Sequence, residues 1–90
     1  MLDSLNYLIK LVREKKEKPT EDSYTNKLLN DKFLSKAKVL EEINELIESV
    51  EKDTNKIHES ADVLYHLIVY LEANGIKIED VMDELKKRRK

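Results

Sequence analysis

The sequence contains no cysteine and no tryptophan, one glycine and one proline. Without cysteine there are no disulfides and no thiolate metal sites. Little Gly, Pro or aromatic side chain (6% aromatic), with 40% charged and 40% hydrophobic residues, is the composition of long helices, not of a sheet or a disordered tail. Nor is there an excess of positive charge: 17 Lys+Arg stand against 19 Asp+Glu, a net charge of −2. That balance argues against a general nucleic-acid binder. The longest nearly apolar stretch, Val63 to Leu71, has nine residues and is interrupted by His66, against the roughly 20 that span a bilayer. The N-terminus lacks the basic flank and apolar run of a signal peptide. The expectation is one all-α domain over residues 1–90, soluble and cytoplasmic, with neither a nucleic-acid nor a membrane partner.

What is present is helical periodicity. Leu2, Leu5, Leu8, Ile9 and Val12 form one stripe on a helix that Pro19 closes. A short piece follows over residues 23–29, capped by a hydroxyl or by Asp22 and broken at Asn30-Asp31. From Leu34 to Lys52, Val39, Leu40, Ile43, Leu46, Ile47 and Val50 gather on one face, and Asp53-Thr54-Asn55 ends the helix. Another runs from about Ile57 to Asn74, where Gly75 supplies a left-handed end. The last begins near Glu79; Glu79 and Asp80 suit its positive end, and Lys86 to Lys90 its negative end. Four to five helices are therefore predicted.

Two of them carry chemistry. Opposite the apolar face of residues 34–52 lie Lys38, Glu41, Glu42, Glu45 and Glu48. Alone, such a stripe reads as a solvated face with pairs such as Lys38 and Glu42. The helix of residues 57–74 changes that reading, because Ile57, Ala61, Leu64, Ile68 and Leu71 are flanked by Val63, Tyr65, Leu67, Val69 and Tyr70, so it is expected to be buried nearly all round. Glu59, Asp62 and His66 interrupt it along one narrow line. Buried carboxylates need compensation. Either a Lys or Arg of another helix supplies it, giving a salt-bridged core, or a divalent cation does, held jointly by Glu42, Glu45, Glu59 and Asp62 across two antiparallel helices. Carboxylate oxygens suit Mg²⁺, with Mn²⁺ as a substitute, and two histidines, His58 and His66, are too few for a zinc site. The apolar surface exceeds what three short neighbours cover, so a homodimer is expected; the alternative is a monomer with Tyr65 and Tyr70 half exposed.

Glu41-Glu42-x-x-Glu45, then 13 residues, then Glu59-x-x-Asp62 resembles the signature of the all-α, MazG-like nucleoside triphosphate pyrophosphohydrolases. Ser23-Tyr24-Thr25-x-Lys27-Leu28 after Pro19, Ala61-Asp62-x-x-Tyr65-His66-Leu67, and Gly75-x-x-x-Glu79-Asp80-Val81 with a basic end are similar to the phosphoribosyl-ATP pyrophosphohydrolase family of histidine biosynthesis. The resemblance covers essentially the whole chain. It implies a MazG-like helical bundle completed by homodimerisation, Mg²⁺ dependence, and hydrolysis of 1-(5-phosphoribosyl)-ATP to 1-(5-phosphoribosyl)-AMP and pyrophosphate. It also implies that Glu42, Glu45, Glu59 and Asp62 bind metal, with Glu41 a neighbouring carboxylate. Leu40 stands where many members have Gly. The sequence has no room for the cyclohydrolase domain sometimes fused ahead of this one, so a separate protein is expected to supply the next step.

Hydrolysis of a phosphoanhydride asks mainly for positioning and charge neutralisation. Glu41, or one of the four metal-binding carboxylates acting through a water, is expected to serve as base. Lys38, Lys27, Arg88 and Arg89 are candidate phosphate ligands, though the terminal basic run reads first as helix-end charge and solubility. Ser23, Tyr24 and Thr25 suit capping and packing as well as substrate contact. His66 is expected to hydrogen-bond a carboxylate of the site, or else to be a core or interface histidine, and His58 to lie at the surface. Two other readings share the scaffold: a MazG-like enzyme for ordinary or damaged nucleoside triphosphates, and a non-enzymatic helical dimerisation module.

Overall fold

A computed structural model describes residues 1–89; Lys90, the last residue of the basic run, lies outside the described residues. Five helices follow one another: α1 (Asp3–Glu17), α2 (Tyr24–Asn30), α3 (Lys32–Lys52), α4 (Lys56–Ala73) and α5 (Ile78–Lys87), with no strand among the described residues. None is long and apolar enough to cross a membrane.

The ends of the helices follow from local chemistry. Lys18, which precedes Pro19, has φ −126° and ψ 80°, because the proline ring disfavours helical geometry before it. The loop that follows is tied down by Asn26, whose carboxamide accepts from the Thr20 N–H at 2.8 Å and donates to the Lys15 carbonyl at 2.7 Å. The Ser23 hydroxyl, not Asp22, caps α2 by accepting from the Asn26 N–H. Asp31 caps α3 by accepting from the Leu34 N–H at 3.0 Å, so that helix starts two residues earlier than its apolar pattern. Gly75 has φ +71°; its N–H reaches the Glu72 carbonyl and that of Ile76 the Leu71 carbonyl, the paired bonds of a Schellman end.

The core is small. Ile9 and Val12 of α1, Leu28 and Leu29 of α2, and Ile68 and Val69 of α4 are buried together, with Leu5, Leu8, Leu34, Tyr65, Ala73 and Ile78 packed around them. Arg13 of α1 locks the far side, pairing with the buried Glu72 of α4 at 3.0 Å and with Glu79 of α5, while Lys16 donates to the Glu72 carbonyl at 2.7 Å.

The long hairpin departs from its pattern. α3 and α4 form the most extensive helix pair, joined through residues 53–55, where Asp53 and Asn55 both take positive φ. Yet α3 turns Ser35, Glu42 and Ser49 inward, and Leu40, Ile43, Ile47 and Val50 lie on the surface with Ile57 and Leu64 of α4. The expected all-round burial of α4 therefore does not hold within one protomer: Ile68 and Val69 are buried, Ile57 and Leu64 are not. Serine at positions 35 and 49, one heptad on either side of Glu42, is small enough for α3 to approach α4 along a polar line.

Candidate metal centre

Within the acidic stripe of α3, Glu41, Glu45 and Glu48 are exposed and Glu42 alone leaves the solvated face. Glu42, three turns into α3, is 9% exposed and points into the α3–α4 seam. One turn later comes Glu45, and across the seam stand Glu59 and Asp62 in the first half of α4. Carboxylate oxygens of Glu42, Glu45 and Glu59 all lie within 4.8 Å of one another, and a second group, His58, Glu59 and Asp62, meets the same limit. Glu59 belongs to both groups, so the four acids singled out in the sequence converge around it.

Their electrostatics is unfavourable without a cation. Burial, then repulsion from Glu45 and Asp62, raises the Glu42 carboxyl above its usual range, and the nearby His66 ring opposes this. Burial and the charges of Glu45 and Asp62 raise Glu59 likewise, with His58 opposing. Oε2 of Glu42 and Oε2 of Glu59 are buried with no hydrogen-bond partner. No Lys or Arg pairs with Glu42, Glu45, Glu59 or Asp62 among the described residues; the ring nitrogen Nε2 of His58 lies 3.3 Å from Asp62 Oδ2. The salt-bridged core is thus not what the described residues build. Two orphaned buried carboxylate oxygens and a donor set of four carboxylates, with His58 the one nitrogen beside them, fit a hard divalent cation.

The remaining candidates are scattered. Glu41 sits on the rim, exposed, 3.3 Å from Lys38, so Lys38 pairs with Glu41 and not with Glu42 as its spacing allows. That contact raises the Lys38 ammonium above its ordinary range. Lys27 is exposed on α2. Arg88, just past α5, pairs with Glu84, and among the described residues no ion pair joins Arg88 or Arg89 to the four acids. His58 is exposed as expected.

His66 is buried, but its partners are not carboxylates. Its Nδ1 lies 2.8 Å from the Asp62 carbonyl and its Nε2 3.1 Å from the Tyr24 hydroxyl. A carbonyl only accepts, so Nδ1 carries the proton and Nε2 accepts from Tyr24. Tyr24 in turn lies parallel to Tyr65, centroids 6.4 Å apart, and the Tyr65 hydroxyl meets Thr25 Oγ1. This cluster joins the Ser-Tyr-Thr and Tyr-His-Leu segments, a link that spacing does not reveal because it crosses from α2 to α4.

Beside the acids an open cleft of about 380 Å³ is lined by Glu45, Glu48, Ser49, Lys52, Thr54, Asn55 and Glu59. Lys52, Thr54 and Asn55 carried no functional signal in the sequence, since a helix end and its turn account for them.

This is an all-α protein in which carboxylates from two antiparallel helices gather at one seam. Residues 5–89 match the family model described as phosphoribosyl-ATP pyrophosphohydrolase. The chain belongs to that family. It is 41% identical to the phosphoribosyl-ATP pyrophosphatase of Clostridium novyi, over 99% of this chain and 84% of that protein. It is similar at 43% identity to the protein of the same name from Clostridium acetobutylicum, covering 93% and 79%. It is also 39% identical to the histidine biosynthesis bifunctional protein HisIE of Pyrococcus furiosus, where it matches 99% of its own length but 43% of the relative. No solved structure matches it.

Proposed function

We infer that the protein hydrolyses 1-(5-phosphoribosyl)-ATP to 1-(5-phosphoribosyl)-AMP and pyrophosphate, the second step of L-histidine biosynthesis. Family membership over residues 5–89 supports the substrate. The observation that carries the chemistry is the pair of buried, unpartnered oxygens on Glu42 and Glu59. Glu42, Glu45, Glu59 and Asp62 would hold Mg²⁺, or Mn²⁺ in its place. When bound, the cation neutralises phosphate charge and acidifies a water. The chain's own part is to fix four acids on two rigid helices, with Glu59 between the two groups. Glu41, on the rim and tethered to Lys38, would take a proton from solvent-side water, and Lys38 would meet a phosphate oxygen once that tether opens. Lys27, Arg88 and Arg89 would need a second protomer or a closed state to reach the acids.

The assembly that fits is a homodimer. Leu40, Ile43, Ile47 and Val50 of α3 and Ile57 and Leu64 of α4 are all exposed, and large apolar side chains left open together on a hairpin suit an association surface. The radius of gyration, 14.1 Å, exceeds the about 12 Å of a compact chain of this length. A second copy laid on that face would complete a bundle and bury the same residues on both sides. Residues 1–90 are taken as one domain working in the cytoplasm.

The test is pyrophosphate release from phosphoribosyl-ATP, with ATP and dNTPs as comparators, each with Mg²⁺ and with EDTA. Release confined to phosphoribosyl-ATP and lost in EDTA is the expected result. Faster release from dNTPs would overturn the substrate, and no release at all would overturn the reading as an enzyme.

A further inference from the structure

Tyr24 is placed unlike any other aromatic residue of the chain. It opens α2, and its ring is fixed three ways: it lies parallel to Tyr65 with 17° between planes, it meets the His66 ring edge-on with centroids 5.9 Å apart, and its hydroxyl donates to His66 Nε2 at 3.1 Å. Tyr65 is itself held by Thr25 and by an edge-on contact with His66 at 5.0 Å. A tyrosine pinned at ring and hydroxyl is normally covered. This one is 45% exposed.

Its position relative to the acids follows from the same bonds. His66 touches the Tyr24 hydroxyl with one ring nitrogen and the Asp62 carbonyl with the other, so one imidazole separates Tyr24 from a residue of the candidate metal centre. Lys38, Glu42 and Glu41 are near enough to perturb the Tyr24 hydroxyl, which burial raises above its ordinary range and Lys38 lowers. Around the acids, then, lie a place for phosphates and, one side chain away, a rigid and partly open aromatic surface. A preorganised ring stacks on a flat π-system without losing rotamer freedom, and every nucleobase has such a face.

We propose that the open part of the Tyr24 ring is the seat of the substrate's purine, so that Tyr24 selects a base-bearing triphosphate over inorganic triphosphate. This rests on the nucleotide-hydrolase reading above and adds the residue that reads the base. His66, Tyr65 and Thr25 act as positioning residues that hold the platform.

The experiment compares wild type with Tyr24→Phe, Tyr24→Leu and Tyr24→Ala in steady-state hydrolysis of phosphoribosyl-ATP, with helicity checked by circular dichroism. Phe keeps the π-face and should keep KM within about twofold; Leu and Ala should raise KM about tenfold or more at nearly constant kcat. Competition by inorganic triphosphate should be the same in all four. Equal KM in wild type and Leu would overturn the proposal, as would a loss in Phe matching that in Ala, which would mean that the hydroxyl bond to His66 is what matters. A second measurement needs neither turnover nor a stable variant: nuclear Overhauser contacts between ATP H2 or H8 and the Tyr24 ring of wild type, tractable with four tyrosines and one phenylalanine in the chain. Contacts to Tyr24 support the platform even if phosphoribosyl-ATP is not hydrolysed, in which case only the substrate assignment falls. Bound ATP without contacts to Tyr24 would overturn the platform and leave that assignment standing.

Discussion

Replacing Glu42 by Gln should change the stability of the protein in opposite directions with and without metal. In EDTA, Glu42 is a buried carboxylate with one oxygen unpartnered and with Glu45 and Glu59 oxygens inside 4.8 Å. Leaving a buried polar group unsatisfied costs about 1–3 kcal/mol. The Gln amide has the same shape, no charge, and an NH₂ that can donate to Glu45 or Glu59. Taking the lower figure, the variant gains about 1 kcal/mol, and a domain of this size then melts about 4–8 °C higher. With Mg²⁺ at a hundred times its Kd, the wild type gains about 2.7 kcal/mol, or roughly 10–20 °C. If losing one charged ligand weakens binding about 100-fold, the same Mg²⁺ gives the variant only about 0.4 kcal/mol. The order of melting temperatures therefore inverts between EDTA and Mg²⁺. Differential scanning fluorimetry at fixed protein concentration reads this directly, the concentration being held because an associating protein melts according to it. A wild type indifferent to Mg²⁺, or a variant stabilised as much as wild type, would refute the metal centre; a variant less stable in EDTA would refute the account of Glu42 as an uncompensated charge.

Three further outcomes follow from the same geometry. Glu42 and Glu59 have carboxyls raised above their unfolded range, so the native state binds protons more tightly than the unfolded one, and the metal-free protein should gain stability as pH falls toward the unfolded value of about 4.5. Glu79, held down to about 2 by Arg13 and its helix-start backbone, works the other way: its contribution is present above about 4.5 and lost as pH falls toward 2, so the EDTA melting curve should pass through a maximum, and a monotonic curve would contradict this. Arg13→Ala would strip the buried Glu72, 8% exposed, of its ion partner, costing about 2 kcal/mol and lowering the melting temperature by roughly 10 °C with metal response intact; an unchanged melting temperature would show that this lock is dispensable. Ile47→Asp, in the middle of the exposed face of α3, should turn a dimer into a monomer in light scattering with helicity largely kept, and an unaltered mass would mean that another face is used.

Most of the helical frame was legible because each boundary has a local cause: Pro19 forbids continuation of α1 and Gly75 accepts the left-handed end of α4. The approach of Glu42, Glu45 and Glu59 to one another, and of Asp62 to Glu59, was legible for the same reason, since three-residue steps on two helices joined by a short turn leave few places for them to meet. What spacing does not carry is contact across sequence distance. The Tyr24 to His66 bond spans 42 residues and Arg13 to Glu72 spans 59, and nothing periodic marks either pair. Of the two roles open to His66, the structure shows the satisfied core histidine and not the carboxylate bond, because an imidazole four residues after Asp62 reaches the helix's own carbonyl before it reaches a side chain.

The inversion of α3 is the instructive failure. Amphipathicity says that the side with Leu40, Ile43, Ile47 and Val50 goes inward, and in the protomer it does not. A rule that turns apolar residues inward presumes that the folded protomer is the burying unit, and it presumes that the polar face has no reason to leave water. On the proposed reading both presumptions fail together. A metal centre needs its acids on a face packed against another helix, since only there are they desolvated and rigidly spaced, and a helix that spends its polar face on its partner has its apolar face left over for a second chain. Ser35 and Ser49, seven residues either side of Glu42, were the available clue: small residues at heptad spacing mark the line along which two helices come close, and the residue midway along that line was a glutamate. On this argument the buried acids and the exposed apolar face are one feature. A substitution that abolishes association through Ile47 should therefore also loosen the α3–α4 seam and weaken Mg²⁺-dependent stabilisation, although Ile47 lies on the opposite face from every acid; a monomeric Ile47→Asp protein with a wild-type melting response to Mg²⁺ would separate the two.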